Sequence, residues 1–290
     1  MRHTSGAQVP SPALRHSGHV TPSTVPPSAV PTSVLLAFGV DDAPRLLAGG
    51  QGTSWVAGDL VLKPGGGPLH EWLAAVAPSI TQSGFRLAVP VAAGANAWSV
   101  DGWTATRWVE GRAPDLSDAA AWGTVIAAGR AFHQAIAHLP RPELLRARTD
   151  WWAVADQAAW GERELRLSPE IASIARRLET LLRPLGEPQI VHGDLTHNVL
   201  VHPGLPPAII DVSPYWRPVA YAEGVVVADA LCWHAADASM LDRLGVSIAA
   251  AARALLFRLF TTSQRLESHP DAAGGEELRR YEHATLALGA

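Results

Sequence analysis

A chain of 290 residues, 48% apolar and only 17% charged, is long enough to bury a substantial core in one large domain or two small ones. Its formal charge of -4 excludes the basic surface that non-specific nucleic-acid binding needs. Its single cysteine, Cys232, excludes an intramolecular disulfide and a cysteine-rich metal cluster. No stretch approaches the roughly 20 apolar residues of a membrane span, and the first residues carry neither an apolar leader core nor a lipidation signal. The expectation is a soluble, cytoplasmic protein.

In chain order, residues 1–33 are rich in Ser, Thr, Pro and His and contain no aromatic or acidic residue. Such a composition buries too little surface to offset chain entropy and reads as a disordered tail. A short helical turn is expected over 33–39. Residues 34–110 then read as a small strand-rich lobe. Segment 60–62 is a strand entered from the Gly58-Asp59 turn, 103–108 is another, and 69–76 has the apolar spacing of a short helix. Beyond Gly111 the texture becomes alanine-rich and helical, so residues 111–290 read as a larger helical lobe. Helices are expected over 118–137, 168–182, 224–236 and 240–266, the second with Ser168 as N-cap and Pro169 in its first turn. Cys232 lies among apolar neighbours and reads as a small buried hydrophobe. The fold class is α+β with two lobes.

Amid these helices stands I-V-H-G-D-L-T-H-N-V-L-V, residues 190–201, followed by P-A-I-I-D, residues 207–211. Segments 199–202 and 208–210 have the length and composition of two strands joined by Pro-Gly-Leu-Pro-Pro. Folded as a hairpin, they bring Asn198 and Asp211 to the same end, beside Asp194. One carboxylate placed as a base, with an amide oxygen and a second carboxylate for a hard cation, suits phosphoryl transfer from a Mg-nucleotide. Upstream, Gly49-Gly50-Gln51-Gly52-Thr53-Ser54 lies between two strand-like runs, where glycines let backbone N–H groups approach phosphate closely. Eleven residues after Gly52 comes Lys63, the only lysine of the chain. A plain glycine turn and a solvated strand end are the competing readings.

Taken together, G-G-Q-G-T-S-W, V-L-K-P, H-G-D-L and D-V-S-P-Y-W-R-P resemble the aminoglycoside phosphotransferase-type branch of the protein-kinase-like fold, from about residue 34 onward. The likeness is greatest to an actinobacterial-looking subgroup. The resemblance implies a bilobal fold and transfer from ATP or GTP with Mg2+ to a hydroxyl of a small metabolite. It places Gly50, Gly52, Thr53 and Lys63 on the nucleotide phosphates, with Glu71 as the carboxylate that holds Lys63. Trp108 and Val109 would form the hinge whose backbone reads the base. Asp194 would orient the acceptor hydroxyl and take its proton, and His192 would support the loop. Asn198 and Asp211 would bind the metal, Asp229 would brace the loop from a helix, and His133 would stand near it. Tyr215, Trp216 and Arg217 follow where relatives line the acceptor site. An internal salt bridge is the alternative for Arg217.

The chain departs from the pattern in one place. Asn198 follows Asp194 by four residues where relatives commonly have five. A kinase-like protein that binds nucleotide or a partner without turnover is therefore a second reading. A zinc hydrolase using His192, Asp194, His197 and His202 is a third, although it leaves Lys63 and Asp211 unexplained. The acids Asp115, Asp118, Asp150, Asp156 and Glu162 form no dense cluster of the kind a polycationic aminoglycoside favours.

Overall fold

The computed structural model describes residues 29–47, 52–94, 97–269 and 274–290. The chain opens with helix α1 (Thr32–Ala37) and strands β1 (Arg45–Leu46), β2 (Trp55–Ala57) and β3 (Leu60–Pro64). Helix α2 (Gly67–Val76) and strands β4 (Arg86–Leu87), β5 (Pro90–Val91) and β6 (Trp103–Arg107) follow. Five strands form one antiparallel sheet in the order β1-β2-β3-β6-β5. Leu60 and Leu62 point inward from β3 against Trp103 and Ala105 of β6, because alternate residues of a strand share a face. Val30, Val34 and Phe38 cap this core. Residues 29–33, expected as the end of the tail, thus belong to the packed chain: burial of Val30 draws its start forward.

The larger part contains helices α3 (Ala119–Ile136), α4 (Trp151–Ala159) and α5 (Pro169–Thr180). Strands β7 (Gln189–His192), β8 (Val199–His202), β9 (Leu205–Ile209) and β10 (Pro214–Arg217) come next, then α6 (Val219–Trp233), α7 (Ser239–Leu244), α8 (Ile248–Ser268) and α9 (Gly275–Ala287). Side chains of Asp118, Asp150, Ser168 and Ser247 accept N–H bonds at the starts of α3, α4, α5 and α8, satisfying donors that the first turn leaves unpaired. The expected helix over 240–266 is two helices, α7 and α8, broken at Gly245 with φ +67°. Helices α4 and α9 had no counterpart in the sequence reading. The core here takes in Leu73 of α2 and Leu87 of β4, so packing crosses the chain boundary at Gly111. Between the lobes, Arg86 donates to the carbonyls of Pro206 and Glu110, and β4 pairs in parallel with β9.

Helix α6 is buried on nearly every side, as expected of a helix apolar all round. It meets α8 at Gly224, where a Cβ would stand 2.3 Å from the Ala250 carbonyl oxygen. Only glycine permits that approach. Gly224→Ala must push the two helices apart, and such overpacking costs about 1–3 kcal/mol. The expected outcome is a lowered urea midpoint with unchanged slope; an unchanged midpoint refutes the tight crossing.

Candidate active site

Antiparallel pairing of β7 with β10 and of β8 with β9 sets up the site. Val199 faces Ile209, and the Ile210 N–H donates to the Asn198 carbonyl at 2.9 Å. Asn198 and Asp211 consequently lie at one end of the hairpin, at the loop that carries Asp194. The turn is shorter than the sequence suggested, because Leu205, Pro206 and Pro207 already belong to β9. The Pro pair falls beside a register shift between Leu200 and His202, where lost ladder donors matter least.

Asp194 is buried and held from several directions. Its own N–H donates to His192 Nδ1 at 3.1 Å. Asn198 Nδ2 donates to the Asp194 carbonyl at 2.7 Å and to Oδ2 at 3.2 Å. The four-residue spacing still lets the amide reach Asp194, and Nδ2 is the atom committed. Arg258 Nη2 donates to Oδ1 at 3.0 Å. Arg258 also forks onto Asp229 with two bonds of 2.8 Å, and Asp229 accepts from Thr196 Oγ1 at 2.7 Å. Burial opposes the guanidinium charge, but the Asp229 and Asp194 carboxylates outweigh it and raise the Arg258 pKa. In the sequence Arg258 was visible only as an interruption of an apolar helix. Nothing in its neighbours marks it as the side chain that ties α8 to the loop.

His192 is fully buried with both ring nitrogens engaged, Nδ1 accepting as above and Nε2 donating to the Ile210 carbonyl at 3.3 Å. The His192 N–H donates to His133 Nε2 at 2.9 Å. Both rings are neutral. Burial lowers the pKa of His192, while burial and the neighbouring His192 lower His133 to about 3. These are scaffold imidazoles. Gly193 between His192 and Asp194 has no room for a side chain, since a Cβ would lie 2.4 Å from the Tyr215 ring.

Asp211 adopts φ +51°, a left-handed conformation that few side-chain-bearing residues take. Its carboxylate pairs with Lys63, which reaches across from β3. The pairing expected between Lys63 and Glu71 is not made. Helix α2 turns His70, Leu73 and Ala74 inward and leaves Glu71 exposed, as one residue's rotation of about 100° dictates. His70, which the sequence reading passed over, is the buried polar residue of that face, with its pKa lowered to about 4 by burial. Gly52 and Thr53 lead into β2, whereas Gly50 lies outside the described residues. At the hinge, the Trp108 N–H already donates to the Asp59 carbonyl at 2.7 Å. The Val109 peptide makes no backbone hydrogen bond among the described residues.

Downstream, Tyr215 is buried, with its pKa pushed up to about 12 chiefly by that burial, and Trp216 is half-buried. Arg217 is not free to take an acceptor. Nε and Nη2 hold Asp156, and Nη1 and Nη2 hold Glu162 at 2.5 and 2.9 Å. The internal bridge was the correct alternative for this residue, because two carboxylates saturate its planar fork.

The sequence pattern of the phosphotransferase enzyme family matches residues 68–212, half of the chain. The chain belongs to this family. Solved structures agree on the fold. A spectinomycin phosphotransferase bound to ADP and spectinomycin aligns with a TM-score of 0.53 at 13% identity, covering 89% of this chain and 96% of that one. An aminoglycoside phosphotransferase bound to AMP-PNP and hygromycin B gives 0.55 at 15%, covering 89% and 97%. A choline/ethanolamine kinase family protein from Mesorhizobium loti gives 0.53 at 18%, covering 86% and 93%. No curated protein matches the chain. Among the described residues no helix is long and apolar enough to cross a membrane. Of the motifs that carried the resemblance, Lys63, Asp194, Asn198 and Asp211 all fall inside or next to the matched family segment.

Two outcomes follow from this geometry. Arg258→Gln strips Asp229 and Asp194 of their shared cation, and breaking such a buried pair costs about 3–5 kcal/mol. Denaturant unfolding should show a loss of that order, with Arg258→Lys in between; a loss below about 1 kcal/mol refutes the brace. His133 and His192, neutral in the fold, take up protons below 6.5 once the chain unfolds. Their contribution is complete above that pH and is lost as pH falls, by about 1.4 kcal/mol per unit for each ring, toward about 3 for His133. His133→Gln should lessen the acid slope of stability relative to the parent chain. An identical slope shows that His133 titrates normally.

Proposed function

We propose that the chain is a Mg2+-dependent kinase that transfers the terminal phosphoryl group of ATP or GTP to a hydroxyl of a small molecule. The observation that carries this reading is the convergence, in one corner, of Asp194, Asn198, left-handed Asp211 and Lys63. Backbone strain of this kind persists where the surroundings enforce it, commonly at functional sites. The donor set fits a hard cation. Asp211 supplies carboxylate oxygen, and Asn198 keeps its amide oxygen available because Nδ2 is bound to Asp194. Asn198 and Asp211 would hold Mg2+, which when bound neutralises phosphate charge.

The chain's own residues do the rest. Lys63 changes partner from Asp211 to the nucleotide phosphates. Asp194, fixed by Arg258 and Asn198, accepts the proton of the acceptor hydroxyl. The hydroxyl oxygen forms the new P–O bond as the bond from the terminal phosphorus to the bridging oxygen breaks, and the nucleoside diphosphate leaves. Catalysis is positioning and charge stabilisation. His192 plays no proton-transfer part, since both its nitrogens are bound within the fold. The same fact argues against the zinc-hydrolase reading, which needs that imidazole as a ligand.

Calorimetric titration with a non-hydrolysable ATP or GTP analogue should give binding that requires Mg2+ and is lost in Asp211→Asn. Asp194→Asn should bind the nucleotide normally while phosphoryl transfer drops by about 10²–10⁴. Absence of nucleotide binding removes the kinase reading. Normal binding with no transfer to any acceptor favours a kinase-like binding protein.

A further inference from the structure

The two lobes are joined by a very short free segment. On the strand-rich side, the Arg107 N–H donates to the Val89 carbonyl at 2.8 Å and the Trp108 N–H to the Asp59 carbonyl at 2.7 Å. On the other side, Arg112 and Val201 of β8 exchange N–H bonds of 2.9 and 2.8 Å. Arg86 fastens Glu110 to β9, donating to the carbonyls of Glu110 and Pro206 at 2.8 Å each. The Glu110 side chain also lies 3.7 Å from His202 Nε2 of β8. Between these two sets of bonds stands Val109, whose peptide makes no backbone hydrogen bond among the described residues.

Gly111 is the point where the joining segment meets β8. Its φ of +152° is one that a side-chain-bearing residue adopts only under strain. A Cβ there would stand 2.9 Å from Leu200 Cβ and 3.2 Å from the Val201 carbonyl oxygen. Neither neighbour can swing aside, since one is the root of a side chain and the other is backbone. Only glycine lets the segment lie this close to β8. That strand begins directly after Asn198, and its partner β9 ends two residues before Asp211. The joining segment and the Asn198–Asp211 pair are therefore set at a fixed spacing through one hairpin.

We propose that Gly111 is a positioning residue for the nucleotide. Its contact with Leu200 sets the distance between the Val109 peptide, which reads the base, and the Asn198–Asp211 pair, which takes the metal-bound phosphates. This role rests on the kinase reading above, and Gly111 acts through β8 without touching the nucleotide. A nucleotide is two binding groups on one link. It gains affinity over its separate halves only while the two sites stay at the matching span. In a positioned site, a displacement of about 1 Å is worth up to about a hundredfold.

Calorimetry on the full chain compares Mg2+-bound AMP-PNP with its halves, adenosine and Mg2+-bound tripolyphosphate, or the guanine counterparts where the parent prefers them. In Gly111→Ala the intact nucleotide should bind at least about tenfold more weakly, while each half stays within about twofold of the parent. Arg86→Gln, which frees Glu110 from β9 without adding bulk, should show the same split to a smaller degree. It decides the matter if Gly111→Ala is unfolded at the assay temperature. A merely structural lesion lowers the thermal midpoint and weakens the halves along with the whole, so equal losses overturn the proposal. Unchanged nucleotide binding in both variants does the same, as does a parent that binds the nucleotide no more tightly than its better half. A half that fails to displace the nucleotide from the parent at about 50 mM also overturns it, because that subsite is then absent. A parent that binds no nucleotide removes the kinase reading itself. One whose binding requires Mg2+ and Asp211 but shows no split in the variants removes only the role of Gly111.

Discussion

The arrangement of this molecule depends on one close crossing, of α6 over α8 at Gly224 and Ala250. These helices bring Asp229 and Arg258 together in a region with almost no solvent access. A charge there is tolerable only when paired and hydrogen-bonded. Asp229 alone takes two of the guanidinium bonds, and the remaining reach of Nη2 goes to Asp194. Helix packing therefore fixes the angle of a carboxylate in a loop, through a cation that never meets solvent. That is a costly way to build a core. It makes sense where the orientation of one carboxylate matters more than the last increment of stability.

The same brace bears on the loop from Gly193 to Asn198. Four residues from Asp194 to Asn198 leave the loop little freedom to aim the amide and few backbone groups with which to hold itself. Here the loop is secured at its entry and middle from outside, and at its end by a bond within it. His192 and His133 hold its entry, Thr196 is tied to Asp229, and Asn198 is tied back to Asp194. His133 and Asp229 sit on α3 and α6, and Asp194 is in turn held by Arg258 of α8. A site held by rigid elements keeps its geometry better than one held by its own loop.

What the sequence made legible was local. The strands around Lys63, the hairpin that unites Asn198 with Asp211, and the N-cap at Ser168 follow from alternation, turn residues and capping chemistry within a few positions. The longer-range facts were hidden. Whether Lys63 meets Glu71 or Asp211 depends on a rotation of α2 that buries His70, and no short window encodes it. Arg258 reads as a blemish in an apolar helix until α6 is laid across it. Arg217 was ambiguous because its partners lie 55 and 61 positions away. Gly193 was visible as part of a motif, but its reason is the ring of Tyr215, which arrives from β10.

These distant pairings also sort the arginines by role. Arg258 and Arg217 spend their charge on buried or half-buried carboxylates, and each anchors a strand or loop that would otherwise be free to move. Arg148 does likewise, stacking over Tyr215 with its charge matched by Asp150. Arg146 pairs with exposed Glu143, and the charge of Arg141 acts on Glu162, so these two also face carboxylates of the chain. Exposed guanidiniums commonly remain solvated. What separates the arginines is thus burial: a guanidinium taken out of water must receive a carboxylate of the chain in exchange.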